Sequence, residues 1–215
     1  MNSKKQFIKS ALLRDAIALF LITLISGLAL SYVYEITKEP IKAQEIQKSI
    51  EANKAVFTDG TSFEEDAELV GLAKSSDLTV LSADYKGVTI DEINQVLDSS
   101  NNLLGYNITV STSAGYKDGI NFVFGYSLEG KVTGIEFLNI KETAGLGMKA
   151  AEPEFLNQFL DKQVQQFVVT KTGAASEEEI DALSGATITS KAVTYAMNAG
   201  IAFVTENSTE LGGGQ

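Results

Sequence analysis

The chain has 215 residues, 44% of them hydrophobic, and contains no cysteine, histidine or tryptophan. These absences exclude thiol catalysis, cysteine-ligated iron–sulfur clusters, histidine-ligated metals and Ser-His-Asp triads. No catalytic or metal-ligating side chain is therefore predicted. Any electron chemistry requires a bound organic cofactor. The formal net charge is −11, although residues 1–34 carry four basic side chains against one acid. The rest of the chain is therefore strongly acidic, and an acidic surface repels nucleic acid.

The first predicted element is an uncharged stretch of 19 residues at 16–34. As a helix it would rise about 28 Å, close to the roughly 30 Å hydrocarbon core of a bilayer. Basic residues precede it and a near-neutral mixture follows, so the positive-inside rule places residues 1–15 in the cytoplasm and the body outside. A cleaved signal peptide is the alternative, but its apolar region is usually shorter, roughly 7–15 residues. We therefore expect a retained, single-pass transmembrane helix.

Residues 35–100 are predicted to form a helical spacer and the beginning of an extracytoplasmic domain. Helix formers dominate residues 35–56, where Pro40 suits a first turn or a break. Three further elements are expected: a short helix at 63–73, an extended segment at 78–85, and a helix at 89–97 with Asp91 near its start.

The centre of the chain predicts a meander of antiparallel strands at 103–112, 119–128 and 132–140. These segments are dense in β-branched and aromatic residues, and Glu129-Gly130 between the last two indicates a tight hairpin. Helices are expected at 152–160 and 191–205. The fold class is therefore α+β, with an antiparallel sheet and packed helices forming a domain at 101–207, followed by a flexible tail at 208–215.

Two segments have the composition of a ligand site. The first, DALSGATITS at 181–190, lies directly before the last predicted helix. Its small residues allow close backbone approach, and the free amides and dipole of a helix start favour phosphate. Taken alone, this segment is more typical of an ordinary helix N-cap.

The second segment, KETAGLGMK at 141–149, follows the last predicted strand. Gly145 and Gly147 permit a tight loop and the close approach of a flat ligand or a phosphate. A plain strand-to-helix turn is the alternative.

Together, and in this order, the two segments resemble the FMN-binding domain family, which includes the G subunit of the Rnf ion-pumping ferredoxin:NAD oxidoreductase and the C subunit of the sodium-pumping quinone reductase. Asp181-x-x-Ser184-Gly185-Ala186-Thr187-x-Thr189 resembles the family's flavinylation motif. Glu142-Thr143-Ala144-Gly145-Leu146-Gly147 resembles its Glu-Thr-Pro-Gly-Leu-Gly loop, with Ala144 in place of the usual proline. Gly115-Tyr116 and the strands that follow also match. The chain length and the short interval between anchor and domain favour the Rnf protein.

The resemblance implies that the Thr187 hydroxyl carries FMN through a phosphoester, formed by a separate magnesium-dependent transferase. Asp181 and Ser184 are candidates for recognition by that enzyme. For Asp181 the alternative is a solvated acid at a helix start. Thr189 and Ser190 are candidates to hydrogen-bond the phosphate, with plain capping as the alternative. The resemblance also implies that Glu142 and Thr143 contact the isoalloxazine or ribityl groups. Gly145, Leu146 and Gly147 would contact the phosphate or ring. Lys149 would offset the phosphate charge, and Gly185 and Ala186 would lie beside the attachment point.

The resemblance further implies an electron-transfer subunit of a bacterial cell-membrane complex, relaying electrons through FMN while ferredoxin oxidation and NAD reduction drive Na⁺ or H⁺ transport. The expected partners are integral-membrane and iron–sulfur subunits, a second flavinylated subunit, and the flavin transferase during maturation. Two alternatives remain: the C subunit of a quinone reductase or another extracellular flavin relay, and a cofactor-free membrane-anchored binding module.

Overall fold

The computed structural model describes residues 2–117 and 119–208. The predicted tail at 208–215 lies outside these residues from position 209 onward. The chain divides into two compact units, Met1–Lys48 and Ser49–Gln215.

Helix α1, Asn2–Val56, passes through Pro40 without interruption. The expectation of a first turn or a break at this proline is therefore wrong, because helix formers on both sides sustain the helix across the hydrogen bond that proline removes. The helix is long and apolar enough to cross a membrane, with a mean hydropathy of 2.3 in its most apolar part.

A five-stranded antiparallel sheet forms the centre of the second unit, and its strand order follows the chain. The three predicted central strands are confirmed, and Gly130 takes a φ of 79° in the predicted hairpin turn. Two strands precede the first predicted strand at 103–112, so the sheet begins earlier in the chain than expected. The strands are β1 Ser62–Glu65, β2 Val88–Leu97, β3 Leu103–Thr112, β4 Ile120–Ser127 and β5 Val132–Ile140.

The predicted helix at 89–97 is wrong, because this segment is strand β2. Its buried apolar residues Ile90, Ile93 and Val96 recur every three positions, which imitates one face of a helix. A register shift between Ile90 and Glu92 explains the first interval, since a β-bulge inserts one residue and changes the phase of the two-residue alternation. No shift lies between Ile93 and Val96, so Val96 is buried on the opposite face of the sheet.

The segment before β2 also differs from expectation. The predicted helix at 63–73 is divided at Asp66, whose side chain caps helix α2, Ala67–Ser75, by accepting a 3.0 Å hydrogen bond from the Leu69 amide. The predicted extended segment at 78–85 instead forms two short 3₁₀ helices. They arise because the Asp77 and Ser82 side chains accept hydrogen bonds from backbone amides two residues ahead, a local turn that competes with strand formation.

In the last third of the chain, helix α3 is limited to Pro153–Leu156, shorter than the predicted 152–160. It ends early because Leu160 bridges to Val132 of β5, which draws the chain back to the sheet. Strands β6, Val168–Thr170, and β7, Glu179–Asp181, pair in parallel and were not predicted. Helix α4, Thr187–Asn207, begins four residues before the predicted 191.

Helices cover both faces of the sheet. Gly200 of α4 lies so close to one face that a Cβ there would be 2.9 Å from the Phe124 ring. The adjacent Val123 points to the opposite face, where it packs against Ala52 and Val56 at the end of α1. Most of the core, where strands β2, β3 and β4 pack against α4, is apolar, and burial raises the pKa of the Tyr126 hydroxyl within it.

Candidate functional site

Three loops meet at one end of the sheet and line an open cleft of about 330 Å³. We call them the Tyr116 loop (residues 113–117, after β3), the glycine loop (residues 141–147, after β5) and the acceptor turn (residues 183–187, before α4). Antiparallel pairing brings the end of β3 and the end of β5 to the same end of the sheet. The lining residues are Tyr116, Glu142, Thr143, Leu146, Gly147, Gly185 and Ala186.

The acceptor turn is closed by a 2.9 Å hydrogen bond from the Ala186 amide to the Leu183 carbonyl. Gly185 has a φ of 75° in this turn, a conformation that favours glycine. The buried Ser190 hydroxyl spans the turn from inside, because it accepts from the Leu183 amide at 2.9 Å and donates to the Ala186 carbonyl at 3.1 Å. Ser190 therefore stabilises the shape of the turn.

The hydroxyls of this segment differ in accessibility. Thr189 and Ser190 are buried, with 1% and 0% of their surface exposed. Ser184 is exposed in the turn, and Thr187 is half-buried as the first residue of α4. Thr187 is therefore the accessible hydroxyl that lies on the helix itself.

The start of α4 has the features of an anion site. Its N-cap residue is Ala186, and no described side chain makes a cap hydrogen bond there. The first-turn amides of Thr187, Ile188 and Thr189 have no carbonyl one turn earlier to bond, and the helix dipole adds partial positive charge. A phosphate at this point would satisfy these donors.

The glycine loop is a compact turn in which the Thr143 carbonyl accepts from the amides of Leu146 at 3.1 Å and Met148 at 3.2 Å. Gly145 has a φ of 75° within it. Leu146 reaches the acceptor turn, since a Cβ on Gly185 would lie 3.3 Å from its Cδ2 atom. The two predicted segments are thus in contact, although about forty residues separate them in the chain.

Glu142 is buried, with 6% of its surface exposed. Its Oε1 atom accepts hydrogen bonds from the backbone amides of Tyr116 at 2.9 Å and Lys117 at 3.4 Å. Its Oε2 atom has no hydrogen-bond partner among the described residues. The predicted contacts of Glu142 and Thr143 with a ligand stay predictions, while the structure shows that Glu142 joins two of the three loops.

The remaining candidates, Lys149 and Asp181, are not among the residues that line the cleft. Lys149 is exposed in the 3₁₀ helix Gly147–Ala151. Asp181 ends β7 with its side chain exposed, and its amide donates to Gln158 Oε1 at 2.6 Å. Sequence reasoning did not select Tyr116 as a site residue, although an aromatic residue directly after Gly115 was a usable signal.

Comparison with known proteins identifies a family and several relatives to which this chain is similar. Residues 115–202 match the FMN-binding domain family, a range that contains the glycine loop and the acceptor turn. The G subunit of the ion-translocating oxidoreductase complex of Methanosarcina acetivorans is 29% identical, covering 87% of this chain and 92% of that protein. The G subunit of the Na⁺-translocating ferredoxin:NAD⁺ oxidoreductase complex of Acetobacterium woodii is 28% identical, covering 85% and 86%. Among solved structures, the C subunit of the Na⁺-translocating NADH-quinone reductase of Parabacteroides distasonis aligns at 22% identity over 68% of this chain and 77% of that chain, with a TM-score of 0.46.

Proposed function

We propose that this chain, which carries an FMN-binding domain, is an electron-transfer subunit of a membrane complex that couples oxidoreduction to ion translocation. Its FMN is joined to the Thr187 hydroxyl through a phosphoester. The observation that carries this proposal is the accessible Thr187 hydroxyl at the start of α4, on a turn that lines the cleft. The names of the relatives, which are G subunits of ion-translocating complexes, support the assignment to a complex.

The acceptor turn fits a phosphoester for three reasons. The first-turn amides and dipole of α4 stabilise an anion, typically by about 0.3–1 kcal/mol for the dipole alone. Gly185 and Ala186 are small, which leaves room for the phosphate and for the transferase that attaches it. The buried Ser190 hydroxyl holds the turn in one shape, so Thr187 is presented at the same place in every molecule.

The cleft fits the rest of the ligand. When bound, FMN supplies redox chemistry that none of the side chains of this protein provides. Leu146 and Tyr116 offer apolar and aromatic surface for packing, while Gly147 lets the ligand approach the backbone. At about 330 Å³ the open cleft is at the small end of ligand sites, so it shields part of the ligand and leaves an edge for an electron partner.

The anchor and the partners complete the proposal. The apolar part of α1 crosses the cell membrane with the N-terminus in the cytoplasm, which places the flavin domain outside. A covalent bond suits that location, because it keeps the cofactor near its partners where a dissociating cofactor would be diluted. The partners are integral-membrane and iron–sulfur subunits, a second flavinylated subunit, and a flavin transferase during maturation; the complex moves Na⁺ or H⁺ as ferredoxin is oxidised and NAD reduced.

Intact-mass spectrometry of the denatured protein, produced together with a flavin transferase, tests the attachment. We expect the wild-type mass to increase by that of FMN less one water and Thr187→Val to show no increase. Thr172→Val is the matched control, because it removes an exposed threonine hydroxyl outside the segment 181–190 and should keep the modification. An unmodified wild-type protein would contradict the proposal and favour a cofactor-free anchored module.

A further inference from the structure

The carboxylate of Glu142 lies between two of the loops that line the cleft. It leaves the glycine loop and accepts two backbone amides of the Tyr116 loop, 26 and 25 residues away in sequence. A buried carboxylate is costly unless it is well paired, yet Oε2 has no partner among the described atoms. Holding a surface loop in place would not require a buried carboxylate. This indicates that the position of the Glu142 carboxylate serves the cleft.

Two glycines enclose this carboxylate from opposite loops. A Cβ on Gly115 would lie 2.6 Å from Glu142 Oε1, and a Cβ on Gly147 would lie 2.8 Å from Oε2. Any side chain at either position would therefore displace the carboxylate or its surroundings. The glycines of both loops are explained by the approach of Glu142 as well as by the approach of a ligand.

The hydrogen bonds to Glu142 determine where Tyr116 can be. The Tyr116 side chain is 69% exposed, so packing against the protein restrains it little, while its backbone amide is held at 2.9 Å. The same side chain lines the cleft. Restraint of the backbone at residues 116 and 117 is thus what keeps this ring beside the cleft.

We propose that Glu142 is a positioning residue whose carboxylate ties the Tyr116 loop to the glycine loop, so that the Tyr116 ring packs against the isoalloxazine of FMN. The identity of the ligand rests on the proposed function, whereas the tie itself exists without the ligand. Glu142 acts through Tyr116, because its Oε1 atom accepts the two backbone amides of the Tyr116 loop and its Oε2 atom is buried.

Three substitutions separate the hydrogen bonds that Glu142 accepts, which are the tie, from the negative charge of its carboxylate. Glu142→Gln keeps an acceptor oxygen at the same reach and removes the charge, Glu142→Asp keeps the charge and loses reach, and Glu142→Ala loses both. In the unmodified protein, NMR-detected amide exchange at Tyr116 and Lys117 should become about tenfold faster in the Asp and Ala variants. It should stay near wild type in the Gln variant. Unchanged exchange in Glu142→Ala overturns the tie.

Flavin fluorescence of the FMN-loaded protein then tests the effect on Tyr116. A stacked tyrosine ring quenches a flavin, so Tyr116→Leu should brighten the fluorescence, and Glu142→Ala should brighten it to a similar degree. The double variant should be no brighter than Tyr116→Leu, while the exposed-site control Glu152→Ala should match wild type. Additive brightening, or none in Glu142→Ala, overturns the positioning role. If the wild type carries no flavin, the proposed function fails, and amide exchange still decides the tie.

Discussion

At the scale of single residues, Ala144 lies in a turn whose stability can be raised by substitution. The turn runs from Thr143 to Leu146 and has Gly145 in the left-handed region at its third position. Proline is favoured at the second position of such turns, and no described hydrogen bond uses the Ala144 amide. We expect Ala144→Pro to raise the free energy of unfolding by about 0.4–1 kcal/mol, because it restricts the unfolded chain. Chemical denaturation of the wild-type and variant proteins measures this change.

The neighbouring glycine provides the control for that experiment. A Cβ on Gly145 would meet nothing within 4 Å, so Gly145→Ala introduces backbone strain at φ 75° without a steric clash. It should lower the free energy of unfolding by about 1–2 kcal/mol. A loss of stability in Ala144→Pro as well would show that the turn differs from the one described.

At the scale of elements, the sequence predicts best what is decided locally. Strands β3, β4 and β5 are recognisable because tight turns and β-branched runs are short-range signals. Strand β2 was mistaken for a helix because a bulge separates Ile90 and Ile93 by three residues, and Val96, buried on the other face, continues the same interval. Strands β6 and β7 are three residues each, and they pair in parallel across an interval of eight residues, an arrangement that no hairpin pattern signals.

The candidate site divides in the same way. The acceptor turn and the glycine loop were predictable, because small residues and hydroxyls before a helix have a physical meaning on their own. The contact between them was not, since it depends on the register of the sheet and on where α4 begins. The hydrogen bonds from the Tyr116 loop to Glu142 are equally non-local, and a lone glutamate after a strand gives no sign of them.

Packing of the end of α1 on the sheet predicts opposite effects on stability for two glycine substitutions. A Cβ on Gly134 would lie 2.6 Å from Val56 Cα and 2.7 Å from Val56 O, both backbone atoms that cannot rotate away. We expect Gly134→Ala to lower the free energy of unfolding by about 1–3 kcal/mol. Gly71 in α2 has nothing within 4 Å, so Gly71→Ala should raise it by up to about 1 kcal/mol through helix propensity. Denaturant unfolding of both variants measures the two changes, and equal signs would contradict the packing described.

At the scale of the whole molecule, the unit Ser49–Gln215 contains the sheet, helices α2–α4 and all three loops of the cleft. It also contains the last turns of α1, which contribute to its core. Asn107 donates hydrogen bonds to the Asn53 carbonyl at 2.9 Å and to its side-chain oxygen at 3.0 Å. Thr133 donates to the Val56 carbonyl at 2.5 Å. The end of α1 is therefore part of the folded domain as well as of the helix that carries the apolar segment.

Two shortened chains test this boundary. A chain of residues 49–215 should fold and be soluble without detergent, because it keeps the core and lacks the apolar part of α1. A chain of residues 57–215 loses the burial of Ala52 and Val56 and the hydrogen bonds to Asn53, so we expect it to be about 3 kcal/mol less stable. Urea denaturation followed by circular dichroism compares the two. Equal stability would show that the domain begins after α1, whereas an unfolded 49–215 chain would show that residues before Ser49 are needed for folding.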